Sequence, residues 1–218
     1  GHRSISITPE GFELLSSVSQ AIDIMREASS RLLEKESYGS ITLAATNSVA
    51  SLWIMPRLNN FQAVNPNLNI AIVSSDDDAE CMAESNDLVI LRGNGKWPNF
   101  HSELLYGETD FPVCSPDFLA NNPDVTSKKY IENMDLIDVA SSHLEWMNWT
   151  TWLKSHHLNS PQSSMRTIVN TYPLAVQAAV DGLGVALGWQ HFVVRYLESG
   201  KLLCPLGDKH VKTSDGYY

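Results

Sequence analysis

From Ile41 onward the chain alternates short apolar runs with amphipathic stretches, and this alternation constrains its fold more than any other feature. Ile41 to Ala45, Leu68 to Val73 and Asp87 to Leu91 read as strands. Ser48 to Val64 reads as a helix stopped by Asn65-Pro66, and Asp78 to Ser85 as a shorter one. Strand–helix–strand order implies parallel strands joined by right-handed crossovers, with helices on both faces of the sheet. The rhythm then continues. Leu104 to Cys114 is extended, Ser115-Pro116 to Ala120 opens a helix, and Asp135 to Val139 is a strand. Trp146 to His156 reads as a helix, Thr167 to Asn170 as a strand and Pro173 to Asp181 as a helix. Gly182 to Gly188 is a small-residue strand framed by glycines, and His191 to Ser199 is the last helix.

The first 36 residues follow a different pattern. Thr8 suits an N-cap, Pro9 the first helical position and Glu10 the positive helix end. Phe12, Leu15, Val18, Ile22, Met25, Ala28 and Leu32 then recur at spacings of three and four, one apolar stripe on a helix of about seven turns. Such a helix either pairs with a copy of itself or packs on its own domain. Ser37-Tyr38-Gly39-Ser40 breaks it.

Bulk properties exclude several classes. No apolar run approaches the roughly 18 residues that a bilayer span needs, and the start lacks a signal-peptide layout. Cys81, Cys114 and Cys204 are odd in number and far apart, which points to a reducing cytoplasm and not to a disulfide framework or a metal site. The net charge of -10 should repel a phosphate backbone, so the part shown here does not grip nucleic acid.

Several short segments stand in a recognisable order. They are Arg3 to Gly11, Pro56-Arg57-Leu58 with Phe61 and Pro66, Asp87 to Arg92, Pro112 to Pro116, Ala178 to Gly188, and Gly200-Lys201-Leu202. Together they resemble the LysR-type transcriptional regulators. The Arg92 to Trp97 turn and the Trp149 to Trp152 helix are most similar to the branch of the glycine-cleavage activator and the β-lactamase regulators. The resemblance implies two Rossmann-like subdomains of periplasmic-binding-protein type behind a long linker helix. It divides the chain into a linker and dimerisation helix (1–36), subdomain I (40–113 with 206–218) and subdomain II (114–205). It implies an outward crossing near Phe111 to Ser115 and a return near Gly216-Tyr217-Tyr218. It also implies that a winged-helix DNA-reading head, the usual final strand and a terminal helix lie outside this sequence.

A search for catalysis finds nothing that converges. No HExxH, GxSxG, Walker or GxGxxG pattern is present. His156 and His157 are adjacent, so on a helix they point about 100° apart and form no ligand pair. Cys114 beside Ser115 lacks an evident base. No catalytic residue, metal site or cofactor is expected.

Binding candidates are clearer, because open α/β sheets hold ligands beyond the carboxyl ends of their strands. Thr46, Asn47 and Ser48 end the first strand and open a helix, where hydroxyls, an amide and free N–H groups suit an anion. Asn47 or Ser48 equally suits a simple helix cap. Asp76-Asp77-Asp78, after Ser74-Ser75, reads as a turn and cap or as a cation-recognising wall. Arg92 ends the third strand and suits either an acidic ligand or a nearby Asp. Asn170, Thr171 and Tyr172 repeat the strand-to-helix arrangement, and the resemblance places them across a cleft from Thr46 to Ser48. His143, Trp146 and Trp97 are further candidates for that cleft. Aromatic rings beside acids there would suit a quaternary ammonium. Trp149, Trp152 and Trp53 are expected in the core.

The expectation is therefore the effector-sensing part of a cytoplasmic transcription regulator. It would bind a small polar metabolite, reach promoter DNA through a separate head, and form a homodimer or homotetramer through Phe12, Leu15, Val18, Ile22 and Met25. The alternative is a solute-binding protein of a transport system, which would carry a signal peptide and no helical arm.

Overall fold

The computed structural model describes residues 40–127, 134–140, 146–158, 167–207 and 210–218, together with 8, 11, 14, 15, 17–19, 21, 22, 24 and 25. β1 (Ser40–Ala45) lies between β2 (Asn69–Ser74) and β3 (Leu88–Ile90), parallel to both. Ala45 stands opposite Ser74 and Ile90, so the three strands end together on one edge. The β1–β2 connection starts as a π-helical stretch, Val49–Ile54, and continues as α1 (Met55–Val64). Met55 N–H donates to the Ala50 carbonyl, a five-residue step just ahead of Pro56, which has no N–H to give. The helix expected from Asp78 to Ser85 is shorter: α2 spans Asp78–Cys81.

A second parallel pair joins β6 (Ile137–Val139) to β7 (Thr167–Val169), and a parallel bridge from Leu136 to Val185 extends it. α3 (Pro116–Asn121), α4 (Trp149–Ser155), α5 (Tyr172–Val180) and α6 (Gln190–Glu198) accompany these strands. The remaining strands pair antiparallel. β4 (Arg92–Gly93), β9 (Val211–Tyr217), β5 (Tyr106–Val113) and β8 (Ala186–Trp189) form an antiparallel sheet in that order. β5 carries the chain away from the β1 sheet. β9 brings it back along β5, beginning at Val211 and not only at the last three residues.

The main core takes side chains from both parallel sheets and from the ribbon, including Val49, Leu52, Phe111, Ile137, Val176, Phe192 and Tyr217. A second cluster surrounds Trp149 and Trp152 with Phe118, Val125, Leu136 and Leu153. Trp149 Nε1–H donates to the Ile137 carbonyl at 2.8 Å, so its buried polar end is satisfied. Trp53 lies half-buried at the core margin, with its ring 5.4 Å from that of Tyr106.

α5 ends in a Schellman motif. Gly182 (φ +80°) and Leu183 donate back to the Ala179 and Ala178 carbonyls. Near the N-terminus, Gly11 and the described residues from Leu14 to Met25 are helical, and Gly11 N–H donates to the Thr8 hydroxyl at 3.1 Å. Leu15, Val18, Ile22 and Met25 are all exposed. Phe12 lies outside the described residues. Among the described residues no helix is long and apolar enough to cross a membrane.

Candidate functional site

The carboxyl edge of β1 faces a narrow cleft whose walls come from both parallel sheets' neighbourhoods and from the antiparallel ribbon. Thr46 and Ser48 follow β1, Arg92 begins β4, and Trp146 precedes α4. Tyr172 opens α5, Trp189 ends β8, Phe192 lies on α6 and Tyr217 closes β9. Five sequence-predicted residues, Thr46, Ser48, Arg92, Trp146 and Tyr172, therefore meet in one place.

Thr46 takes the capping role. Its hydroxyl accepts from Val49 N–H at 3.4 Å and its carbonyl from Ala50 N–H at 2.9 Å. Ser48 makes no side-chain cap bond and borders the cleft. Asn47 turns away from it. Its backbone N–H and Nδ2 donate to the Asp76 carboxylate at 3.0 and 2.9 Å, and its Oδ1 accepts from Ser74. Asn47 thus pins the end of β1 to the end of β2. Asp77 caps α2 by accepting from Ala79 N–H at 2.8 Å, so the acidic triplet forms a turn and a cap.

Arg92 is held by two carboxylates. It makes a two-pronged contact with Glu108, Nε to Oε1 at 2.7 Å and the second terminal nitrogen to Oε2 at 2.8 Å. The same terminal nitrogen lies 3.2 Å from Asp215. Trp189 Nε1–H and the Thr213 hydroxyl also donate to Glu108, at 2.8 and 2.6 Å. Burial pushes the Glu108 carboxyl upward, but these hydrogen bonds and the Arg92 charge outweigh it and hold it below the usual carboxylate range. Burial likewise opposes the Arg92 charge, and Glu108 and Asp215 more than restore it.

Asp110, two residues along β5 from Glu108, is 0% exposed, and neither of its carboxylate oxygens has a hydrogen-bond partner. Burial and then the Glu108 charge push its pKa up to about 8. Its charge is felt by the buried phenols of Tyr172 and Tyr217, both raised chiefly by burial. The Tyr172 hydroxyl accepts from Trp189 N–H at 2.9 Å, and the two rings meet edge to face at 4.4 Å.

The other predicted residues lie elsewhere. Trp97 lines a separate apolar groove with Phe61, Leu105 and Tyr218. Asn170 is exposed at the end of β7, and Thr171 precedes α5 without a side-chain cap bond. His143 lies outside the described residues. The Cys114 thiol is buried and pushed up to about 11 by burial, with a smaller contribution from Cys204. His156 stacks on Trp152 at 4.0 Å. Sequence reasoning missed Glu108, Asp110, Trp189, Phe192 and Tyr217. A signal for the two acids was available: Glu108 and Asp110 share one face of a strand that runs on into apolar Phe111-Pro112-Val113.

Residues 34–215 match the family model described as the LysR substrate binding domain. The chain is 29% identical over 216 residues to the glycine cleavage system transcriptional activator of Escherichia coli K12, covering 99% of this chain and 70% of that protein. It is 27% identical over 223 residues to the HTH-type transcriptional regulator DsdC of the same organism, covering 100% of this chain and 70% of that one. Among solved structures, it resembles the effector domain of the transcriptional regulator AmpR of Pseudomonas aeruginosa. That likeness has a TM-score of 0.64 at 23% identity and covers 82% of this chain and 83% of that one. CrgA, a LysR-type transcriptional regulator from Neisseria meningitidis, gives 0.63 at 14% identity over 99% of this chain and 73% of that one.

Proposed function

This chain belongs to the LysR family of transcriptional regulators through its substrate-binding domain, and from that premise we propose that it binds a small polar metabolite in the cleft between Thr46–Ser48 and Tyr172. The relatives are transcription regulators and neither transporters nor enzymes, which favours this reading over a solute-binding protein. The carrying observation is convergence. A strand end with its helix start, a second helix start and a buried Arg92–Glu108 pair all border one concave space. Ser48 borders that space, and Thr171 stands immediately before Tyr172, which does too; neither side chain makes a cap bond.

Residues 40–113 with 206–218, and 114–205, act as two subdomains on either side of the β5–β9 ribbon. A ligand that contacts both stabilises one relative orientation and shifts the equilibrium by its differential affinity. Residues 1–36 join two copies, and the orientation is passed on to DNA-reading heads in a homodimer or homotetramer. This acidic part of the protein takes no direct share in gripping promoter DNA.

A thermal-shift screen of amino acids, betaines and small acids identifies the ligand, because a molecule that binds only the native state raises the midpoint. Ser48→Ala and Thr171→Val should then each lower its affinity, by about fivefold to 150-fold, the range for leaving one buried hydrogen bond unmade. Calorimetry showing wild-type affinity in both variants would place the ligand elsewhere.

A further inference from the structure

We propose that the cleft takes a ligand bearing a primary ammonium group, and that Asp110 is its anchor. The inference rests on the cleft reading above and adds the chemistry of what enters. β5 sends Glu108 and Asp110 to the same side, two residues apart. Asp110 lies directly behind the cleft lining, where it acts on Tyr172 and Tyr217; those two residues, with Glu108's partners Arg92 and Trp189, border the cleft. Four donated hydrogen bonds saturate Glu108. Asp110 receives none, although both oxygens are buried.

Buried carboxyl groups in folded proteins normally find donors, because leaving them bare is costly. Among the described residues, every charged neighbour that acts on Asp110 is already committed. Arg92, the nearby cation, is shared between Glu108 and Asp215, so the described part of the site holds three carboxyl groups and one guanidinium. The shortfall is one positive charge with N–H donors. A primary ammonium supplies both, and its charge-assisted hydrogen bonds fit two empty acceptor oxygens. A quaternary ammonium supplies the charge but no donor. Trp146 and Trp189 border the same space, and aromatic rings attract a cation of either kind.

Asp110 rests protonated near neutral pH, since burial and Glu108 push its pKa up to about 8. A bound cation requires the ionised form. Binding therefore expels a proton from Asp110, and cation affinity should rise about tenfold per pH unit until the carboxyl ionises unaided.

The test uses butylamine, butanol and butyrate as probes of one shape and three charges, with choline as the quaternary arm. Calorimetry and ligand-observed NMR on the wild-type chain and on Asp110→Asn, from pH 6 to pH 9, give the affinities. The expected result is that butylamine binds best. Its affinity climbs about tenfold per pH unit below about pH 8 and then levels off. In Asp110→Asn it falls by about 10- to 150-fold, the range for losing a charged hydrogen bond, and loses its pH slope. Butanol should be indifferent to both changes. Preference for butanol, butyrate or choline, or a butylamine slope that survives in Asp110→Asn, overturns the ammonium assignment and leaves the cleft reading standing. Failure of all four probes, together with a blank metabolite screen, overturns both.

Discussion

At the scale of single residues, the cleft is organised by one buried cation and the acids around it. Arg92 and Glu108 are almost wholly removed from water, and each satisfies the other's hydrogen-bonding groups. Arg92→Met leaves Glu108 buried without its counter-charge and should cost about 3–5 kcal/mol of stability. Urea denaturation measures this, and adding Glu108→Gln should recover part of the loss because the two residues are coupled. Asp110 carries the opposite sign of pH dependence to Glu108. Its folded-state pKa, about 8, lies above the ordinary 3.8, so across that window the unfolded chain has lost a proton that the folded chain keeps. Its contribution is therefore full at low pH, declines as pH rises and is gone above about 8. The melting temperature of Asp110→Asn should accordingly gain on that of the wild type as pH climbs from 4 to 8, then run parallel. A constant offset across the whole range would mean that Asp110 is ionised in the fold.

At the scale of elements, the turn after α5 decides how β6 and β8 meet. The Schellman motif reverses the chain at Gly182, and Gly184 then passes directly over the Asp135 carbonyl. A Cβ at position 184 would sit 2.3 Å from that oxygen, which is fixed by Val185 N–H at 2.9 Å. Neither partner can yield without breaking the link that aligns α5, and with it Tyr172, against the cleft. Gly184→Ala should destabilise the protein by about 1–3 kcal/mol, the usual cost of overpacking a tight site. Thermal melting checks this. A variant as stable as the wild type would show that the backbone shifts there at little cost.

At the scale of the whole molecule, the N-terminal stripe has no cover within the described chain. Leu15, Val18 and Ile22 are 47%, 44% and 45% exposed. An apolar row on a helix is an unstable surface in water, and the proposed pairing with a second copy in register would bury it. Replacing Val18 and Ile22 together by Glu should convert dimers to monomers, read by sedimentation velocity. An unchanged sedimentation coefficient would show that copies associate through a different face.

The sequence alone determined the alternation of strands and helices, and with it the parallel β2-β1-β3 sheet, because period and turn residues act over a few positions. It also placed Thr46, Ser48 and Tyr172 at strand-to-helix junctions, where ligands of such sheets are held. The order of motifs placed the chain in its family. Tertiary structure decided the rest. Asn47 and Ser48 are equivalent in sequence, yet Asn47 is consumed by Asp76 from another strand while Ser48 stays at the cleft. Arg92 could have served a ligand or an acid, and it meets Glu108 and Asp215 because β5 and β9 pair beside it. Asp110 reads as an ordinary strand acid until the sheet closes over it and leaves it without a donor. Antiparallel pairing between Tyr106–Val113 and Val211–Tyr217 joins residues about a hundred positions apart. No local pattern encodes that contact, and the electrostatics of the cleft are created by it.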